Sequence, residues 1–190
     1  MKNTFDKNSY ISVIDGYGYD GEGVARLEGK VVFIPYALRG EKVKFSIKSN
    51  QSSFLRGKLI EIQSKSNKRT LPPCPYFTKC GGCNYQHTTY ENELGIKKEL
   101  LKGQLKKVGF EKEIEVIPSS KEYSYRNKIH LFVGEQGLSL KERGSNNLCK
   151  IDKCLLISEE MNRAIGIIDS FFVAQTLYDQ YSDVIIRQEN

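Results

Sequence analysis

No stretch of this 190-residue sequence approaches the roughly 20 consecutive apolar residues that a membrane-spanning helix needs. The opening Met1-Lys2-Asn3-Thr4-Phe5-Asp6 lacks the apolar core of a secretory leader, so the cytoplasm is the expected compartment, with no membrane partner. Glycine-rich strand-to-helix turns of the cofactor-binding kind are also missing after residue 110, where Gly137, Gly144 and Gly166 stand isolated. Tryptophan is absent and histidine is reduced to two residues, His87 and His130. The five cysteines do not make an even set, and three of them cluster, which in a reducing compartment favours metal binding over disulfides.

What is present is unevenly placed. Residues 1–70 hold 13 Lys+Arg against 7 Asp+Glu, and residues 71–190 hold 16 of each. The whole excess of +6 therefore lies in the first third, as expected of a polyanion-binding module joined to a neutral one. That first third reads as short strands between turns: Tyr10–Asp15, Val24–Leu27, Lys30–Pro35, Lys42–Lys48 and Phe54–Ile62, with a hairpin turn at Glu28-Gly29. Val43, Phe45 and Ile47 alternate with Lys42, Lys44 and Lys48, so one face is apolar and the other cationic. Five such strands suit a small OB-like barrel, a fold that often carries nucleic acid on a basic face. The polar, basic segment 63–70 reads as a linker, which puts the domain boundary near residue 65.

Beyond it stands Cys74-x5-Cys80-Gly81-Gly82-Cys83, a dense thiolate set in a turn-rich segment. Gly81 and Gly82 would supply the positive φ values for wrapping a metal. Four thiolates suit zinc or an iron–sulfur cluster, and Cys149, Cys154, His87 or His130 could supply the fourth ligand. Thr88 with Glu91 forms a capping box for a helix with Leu94, Leu101, Leu105 and Val108 on its apolar face, ending at Gly109 and Phe110. Its lysines 98, 102 and 106 suit a solvated face. Short strands are expected at 114–117 and 125–133. In the second, Tyr125, Ile129, Leu131 and Val133 share one face, and Arg126, Lys128, His130 and Phe132 the other. Ser158 caps a second helix with Met161, Ala164, Ile165, Ile168, Phe171 and Phe172 inward. A strand beginning near Tyr181, so close to the last residue, would need partners, which points to a chain that is part of something longer.

Two of these stretches carry a resemblance. Gly21-Glu22-Gly23-Val24-Ala25-Arg26-Leu27-Glu28-Gly29-Lys30-Val31-Val32-Phe33-Ile34-Pro35 with Leu38-Arg39-Gly40-Glu41-Lys42-Val43 resembles a TRAM domain, an RNA-binding OB-like barrel. The Cys74–Cys83 loop, followed by Gln86 and an amphipathic helix, resembles the cluster loop of the RNA uracil-5-methyltransferases, which methylate C5 of uridine in 23S ribosomal RNA or in transfer RNA. Tyr125-Arg126-Asn127-Lys128 and Ile151-Asp152-Lys153-Cys154-Leu155-Leu156 match the segment that leads to the remote cluster cysteine in the ribosomal members.

The resemblance implies an α+β chain. A five-stranded OB-like TRAM barrel would span 1–65, and a central mixed α/β domain with an iron–sulfur loop would span 66–190. It implies a [4Fe–4S] cluster on Cys74, Cys80, Cys83 and Cys154, with Cys149 left as a structural cysteine. It implies S-adenosylmethionine as methyl donor and a cysteine nucleophile, both belonging to a C-terminal catalytic domain that this sequence lacks. No catalytic residue is therefore expected here. The expected partner is 23S ribosomal RNA ahead of transfer RNA, with no obligate protein partner, bound through Arg26, Lys42, Lys44, Arg126, Lys128 and Phe132. The alternative is a stand-alone RNA-binding protein with structural zinc.

Overall fold

In the computed structural model, residues 9–177 and 179–189 are described. They fall into two compact units that interleave in sequence. One comprises the chain up to Pro72 together with Asn84–Ile117, and the other Pro73–Cys83 with the chain from Pro118. The chain passes between the two units at 72/73, 83/84 and 117/118.

The first unit holds a six-stranded mixed sheet built from β1 (Ser9–Val13), β2 (Gly16–Tyr17), β3 (Gly23–Leu27), β4 (Lys30–Ile34), β5 (Lys42–Asn50) and β6 (Phe54–Ser64). Its order is β1-β5-β6-β4-β3-β2, with β4 and β6 parallel and every other pair antiparallel. Three register shifts between β5 and β6 bend this long pair, as bulges do, and curl the sheet into a half-barrel. The inward residues Ala25, Val32, Ile34, Val43 and Phe45 are fully buried, as the alternation along β5 predicts. Gly16–Tyr17 adds a sixth strand to the five expected.

Segment 63–70 is bound into this unit. Glu41, with no exposed surface, accepts hydrogen bonds from the Leu38 N–H (2.9 Å), the Ser66 N–H (3.2 Å) and the Arg69 guanidinium (2.6 and 2.7 Å). Arg69 also donates to the Tyr36 carbonyl at 2.6 Å. Burial pushes the Glu41 carboxyl up, but the bonds from Arg69, Leu38 and Ser66 outweigh it and hold the group below its ordinary value.

Helix α1 (Tyr90–Lys106) is capped by Thr89, one residue later than expected, whose hydroxyl accepts from the Asn92 N–H at 3.3 Å. Thr88 instead donates to the Lys68 carbonyl and accepts from the Asn92 side chain. Ile96 is its one buried residue, whereas Leu101 and Val108 are exposed. The helix is anchored at its front and its last turns stand in solvent. Segment 114–117 forms no strand, and Ile117 is exposed.

The second unit is a four-stranded antiparallel sheet of β7 (Lys128–Gly134), β8 (Gly137–Lys141), β9 (Leu148–Lys150) and β10 (Asp183–Arg187), ordered β10-β7-β8-β9. Helix α2 (Glu159–Gln175) covers one face, capped by Ser158, whose hydroxyl accepts from the Met161 N–H. Ile129, Leu131, Leu138, Ile151, Met161 and Ile165 form the core. The ladder starts at Lys128, so Tyr125 is not on the core face and is more than half exposed. Phe172 points inward but Phe171 is exposed, since the stripe on α2 is narrower than its apolar composition. The last strand pairs with β7 within the chain, so its need for partners is met there. No described helix is long and apolar enough to cross a membrane.

Candidate metal centre and basic surfaces

The cysteine loop is a set of tight turns laid against the end of β8. The Phe77 N–H bonds to the Cys74 carbonyl (3.1 Å) and the Cys80 N–H to the Tyr76 carbonyl (2.8 Å). Thr78, at φ 76°, takes the left-handed conformation that Gly81 and Gly82 were expected to supply. Gly81 matters for proximity: a Cβ there would stand 3.2 Å from both the Arg143 Cα and the Lys141 carbonyl oxygen. The Gly81 N–H bonds to that carbonyl and the Arg143 N–H to the Lys79 carbonyl, placing Cys80 opposite Glu142.

Two side chains absent from the sequence-level expectations hold the segment that carries the remote cysteine, one from this loop and one from α2. The Tyr76 hydroxyl donates to Asp152 Oδ2 (2.7 Å) and accepts from the Asp152 N–H (3.0 Å). Asn162, buried in the first turns of α2, accepts from the Cys154 N–H (2.8 Å) and donates to the Cys154 and Ser158 carbonyls (3.0 and 3.1 Å). Cys154 is thus held through its own backbone on both sides.

None of the five cysteines is in a disulfide among the described residues; Cys74, Cys80, Cys83 and Cys154 are half-buried and Cys149 is buried. Burial pushes the Cys80 thiol up, an effect opposed by the Gly82 N–H, which donates to Sγ at 3.4 Å, and reinforced by Cys149, Cys154 and Cys74 nearby. Burial likewise raises the Cys149 thiol. Cys149, Cys154 and Cys74 thus each lie within electrostatic reach of Cys80. Among the described residues, no three Cys, His, Asp or Glu side chains are already gathered in metal-binding geometry. The donor chemistry nevertheless fits a soft metal: half-buried sulfurs, with a backbone N–H aimed at one of them.

Neither histidine joins this set. His87 is a core residue of the first unit, 6.1 Å edge-on from the Tyr36 ring, and burial lowers its pKa to about 4. His130 bonds to Asp183 Oδ2 at 2.7 Å across β7 and β10.

Cations lie on the outer face of each sheet. On β5, Lys42 is exposed opposite Val13, and Lys44 is half-buried opposite Ile11. Arg26 on β3 is exposed, with Nε 3.6 Å from Asp15. The sequence reading passed over a further cluster: Phe33 and Phe54 meet edge-on at 5.5 Å, and the Arg56 guanidinium lies 5.5 Å from the Phe54 ring. Alternation along 54–58 could have revealed it. In the second unit, Lys128, His130 and Phe132 lie on the face away from the core, as expected. Phe132 is flanked by the His130 ring at 4.7 Å and Lys141 Nζ at 4.4 Å. Arg126 precedes the strand, its N–H bonded to the Leu156 carbonyl.

A half-barrel with cations on its outer face and a thiol-rich α+β unit define the class, and residues 13–60 match the TRAM domain family. The chain is homologous over nearly all its length to the RNA uracil-C5-methyltransferases. It is 32% identical over 194 aligned residues to the 23S rRNA (uracil(1939)-C(5))-methyltransferase RlmD of Francisella tularensis subsp. novicida, covering 97% of this chain and 43% of that protein. It is 35% identical over 186 residues to an RNA methyltransferase of Clostridium acetobutylicum, covering 92% and 40%. The chain thus spans less than half the length of these relatives. The same fold occurs in the crystal structure of Pyrococcus abyssi tRNA (uracil-54, C5)-methyltransferase bound to S-adenosyl-L-homocysteine, with a TM-score of 0.70 and 24% identity over 94% of this chain and 42% of that one.

Proposed function

We propose that this chain is the RNA-recognition portion of an S-adenosylmethionine-dependent 23S rRNA uridine C5-methyltransferase, working in the cytoplasm. The observation that carries this reading is the combination of a TRAM domain with 32% identity to RlmD along 97% of the chain. The concentration of positive charge in residues 1–70 supports RNA as the ligand, since phosphate neutralisation supplies most of such affinity. Arg26, Lys42 and Lys44 would bind backbone phosphates from the half-barrel, and in the second unit Arg126 and Lys128 would bind phosphate while Phe132 stacks a base. No catalytic residue is assigned to the chain, and on its own it is expected to bind RNA without transferring methyl groups.

Cys74, Cys80, Cys83 and Cys154 would hold a [4Fe–4S] cluster. When bound, such a cluster supplies a rigid crosslink that closes a span of roughly eighty residues. This chain's own residues prepare the site: Tyr76 and Asp152 join loop and segment, and Asn162 fixes the Cys154 backbone. Binding to a 23S rRNA hairpin, measured against salt with wild type and Arg126→Ala, tests the reading. Binding weakened by salt and by the substitution is expected; salt-independent binding, or none, rejects it.

A further inference from the structure

Helix α1 ends in a motif that creates a groove. The Gly109 N–H bonds to the Lys106 carbonyl (3.1 Å) and the Phe110 N–H to the Leu105 carbonyl (3.0 Å), with Gly109 at φ +80°. This Schellman arrangement reverses the chain and sets Phe110 beside the last turn. Glu113 then reaches back to the helix, 2.7 Å from Lys98 Nζ and also paired with Lys102. The bonds from Lys102 and Lys98 hold its carboxyl at about 2, so the clamp stays charged at any working pH. Segment 110–113 is thereby folded alongside α1. The cavity between them has a volume of about 330 Å³ and is lined by Lys102, Leu105, Lys106, Phe110, Glu111 and Lys112.

Three lysines against one glutamate make the lining cationic. Lys102 is committed to Glu113, whereas Lys106 and Lys112 form no ion pair among the described residues. Phe110 is 41% exposed, an aromatic face offered to solvent beside the half-buried Leu105. An apolar plate flanked by uncommitted ammonium groups is the pairing that holds single-stranded nucleic acid, with the base stacked on the ring and phosphates on the cations. The cavity lies at the small end of ligand sites, which suits one nucleotide.

We propose that this groove binds one nucleotide of a single-stranded RNA segment, its base stacked on Phe110 against Leu105 and its phosphates held by Lys106 and Lys112. The inference rests on the RNA-binding reading above and adds a site to it. The test uses the whole chain and a fluorescein-labelled oligouridylate of about 12 nucleotides, followed by anisotropy as a function of salt. Phe110→Ala is expected to weaken binding roughly tenfold and Phe110→Tyr to preserve it, because stacking needs the ring. The double variant Lys106→Ala/Lys112→Ala should lower the log–log salt slope by about 1.4, near 0.7 for each lost phosphate contact. All substituted side chains are at the surface, and unchanged circular dichroism confirms folding. If wild type binds while Phe110→Ala and the double lysine variant bind equally well, the groove is overturned and RNA binding stands. If wild type shows no salt-dependent binding, the RNA reading falls and the groove falls with it. Equal competition by polyglutamate also overturns the groove, because it would mark a general anion surface.

Discussion

Removing Arg69 should unfold the first unit more readily than any surface substitution on it. The Glu41 side chain has no exposed surface and that of Arg69 is 14% exposed. Arg69→Ala would leave a buried carboxylate with only the Leu38 and Ser66 N–H groups as partners. Breaking a buried pair from one side costs about 3–5 kcal/mol, because the remaining charge is uncompensated. Glu41→Leu should cost a similar amount by leaving the guanidinium and two backbone donors without their acceptor. The double variant Glu41→Leu/Arg69→Met should recover most of the loss, since an apolar replacement of a buried pair is often neutral. Urea unfolding followed by circular dichroism measures all three, and the single variant Arg69→Met closes the double-mutant cycle that isolates the coupling. The pH dependence has a definite sign. The Glu41 carboxyl is held below its ordinary value in the folded chain, so its contribution is fully present above the unfolded value of about 4.3. It is lost as pH falls through the folded value, and Arg69→Ala should flatten the stability profile in that acid range. Losses under about 1 kcal/mol for both single variants would refute this reasoning.

Other consequences concern the thiol site. Anaerobically purified protein should be brown and contain iron; Cys154→Ser should lose the iron and Cys149→Ser should keep it. A colourless, zinc-loaded protein would point to the zinc alternative. Asn162→Leu should destabilise the second unit by about 2 kcal/mol in urea unfolding, because it orphans the Cys154 N–H and carbonyl. An unchanged midpoint would show that water replaces the amide.

Features encoded by neighbouring residues were legible in the sequence. The Ser158 cap, the stop at Gly109 and Phe110, and the faces of β5 and β7 each depend on spacings of a few residues. Where the apolar stripe outran the packing, the reading failed: Leu101 and Val108 follow the helical period, but only Ile96 on α1 is buried. The clustered cysteines stood out by spacing alone, whereas what positions them did not. Tyr76 meets Asp152 across 76 residues and Arg69 meets Glu41 across 28, and no local pattern marks such pairs. Arg69 looked like one more cation in a polar linker because its partner lies in another turn of the same unit.

The proposed function is uridine C5 methylation of 23S ribosomal RNA by a protein that contains this chain. Mass-spectrometric mapping of 5-methyluridine in 23S rRNA and transfer RNA, from cells with and without the gene, tests it most directly. The expected result is the loss of 5-methyluridine at one 23S rRNA position, with transfer RNA unchanged and the mark restored by the wild-type gene. Retention of every 5-methyluridine in 23S rRNA would contradict it.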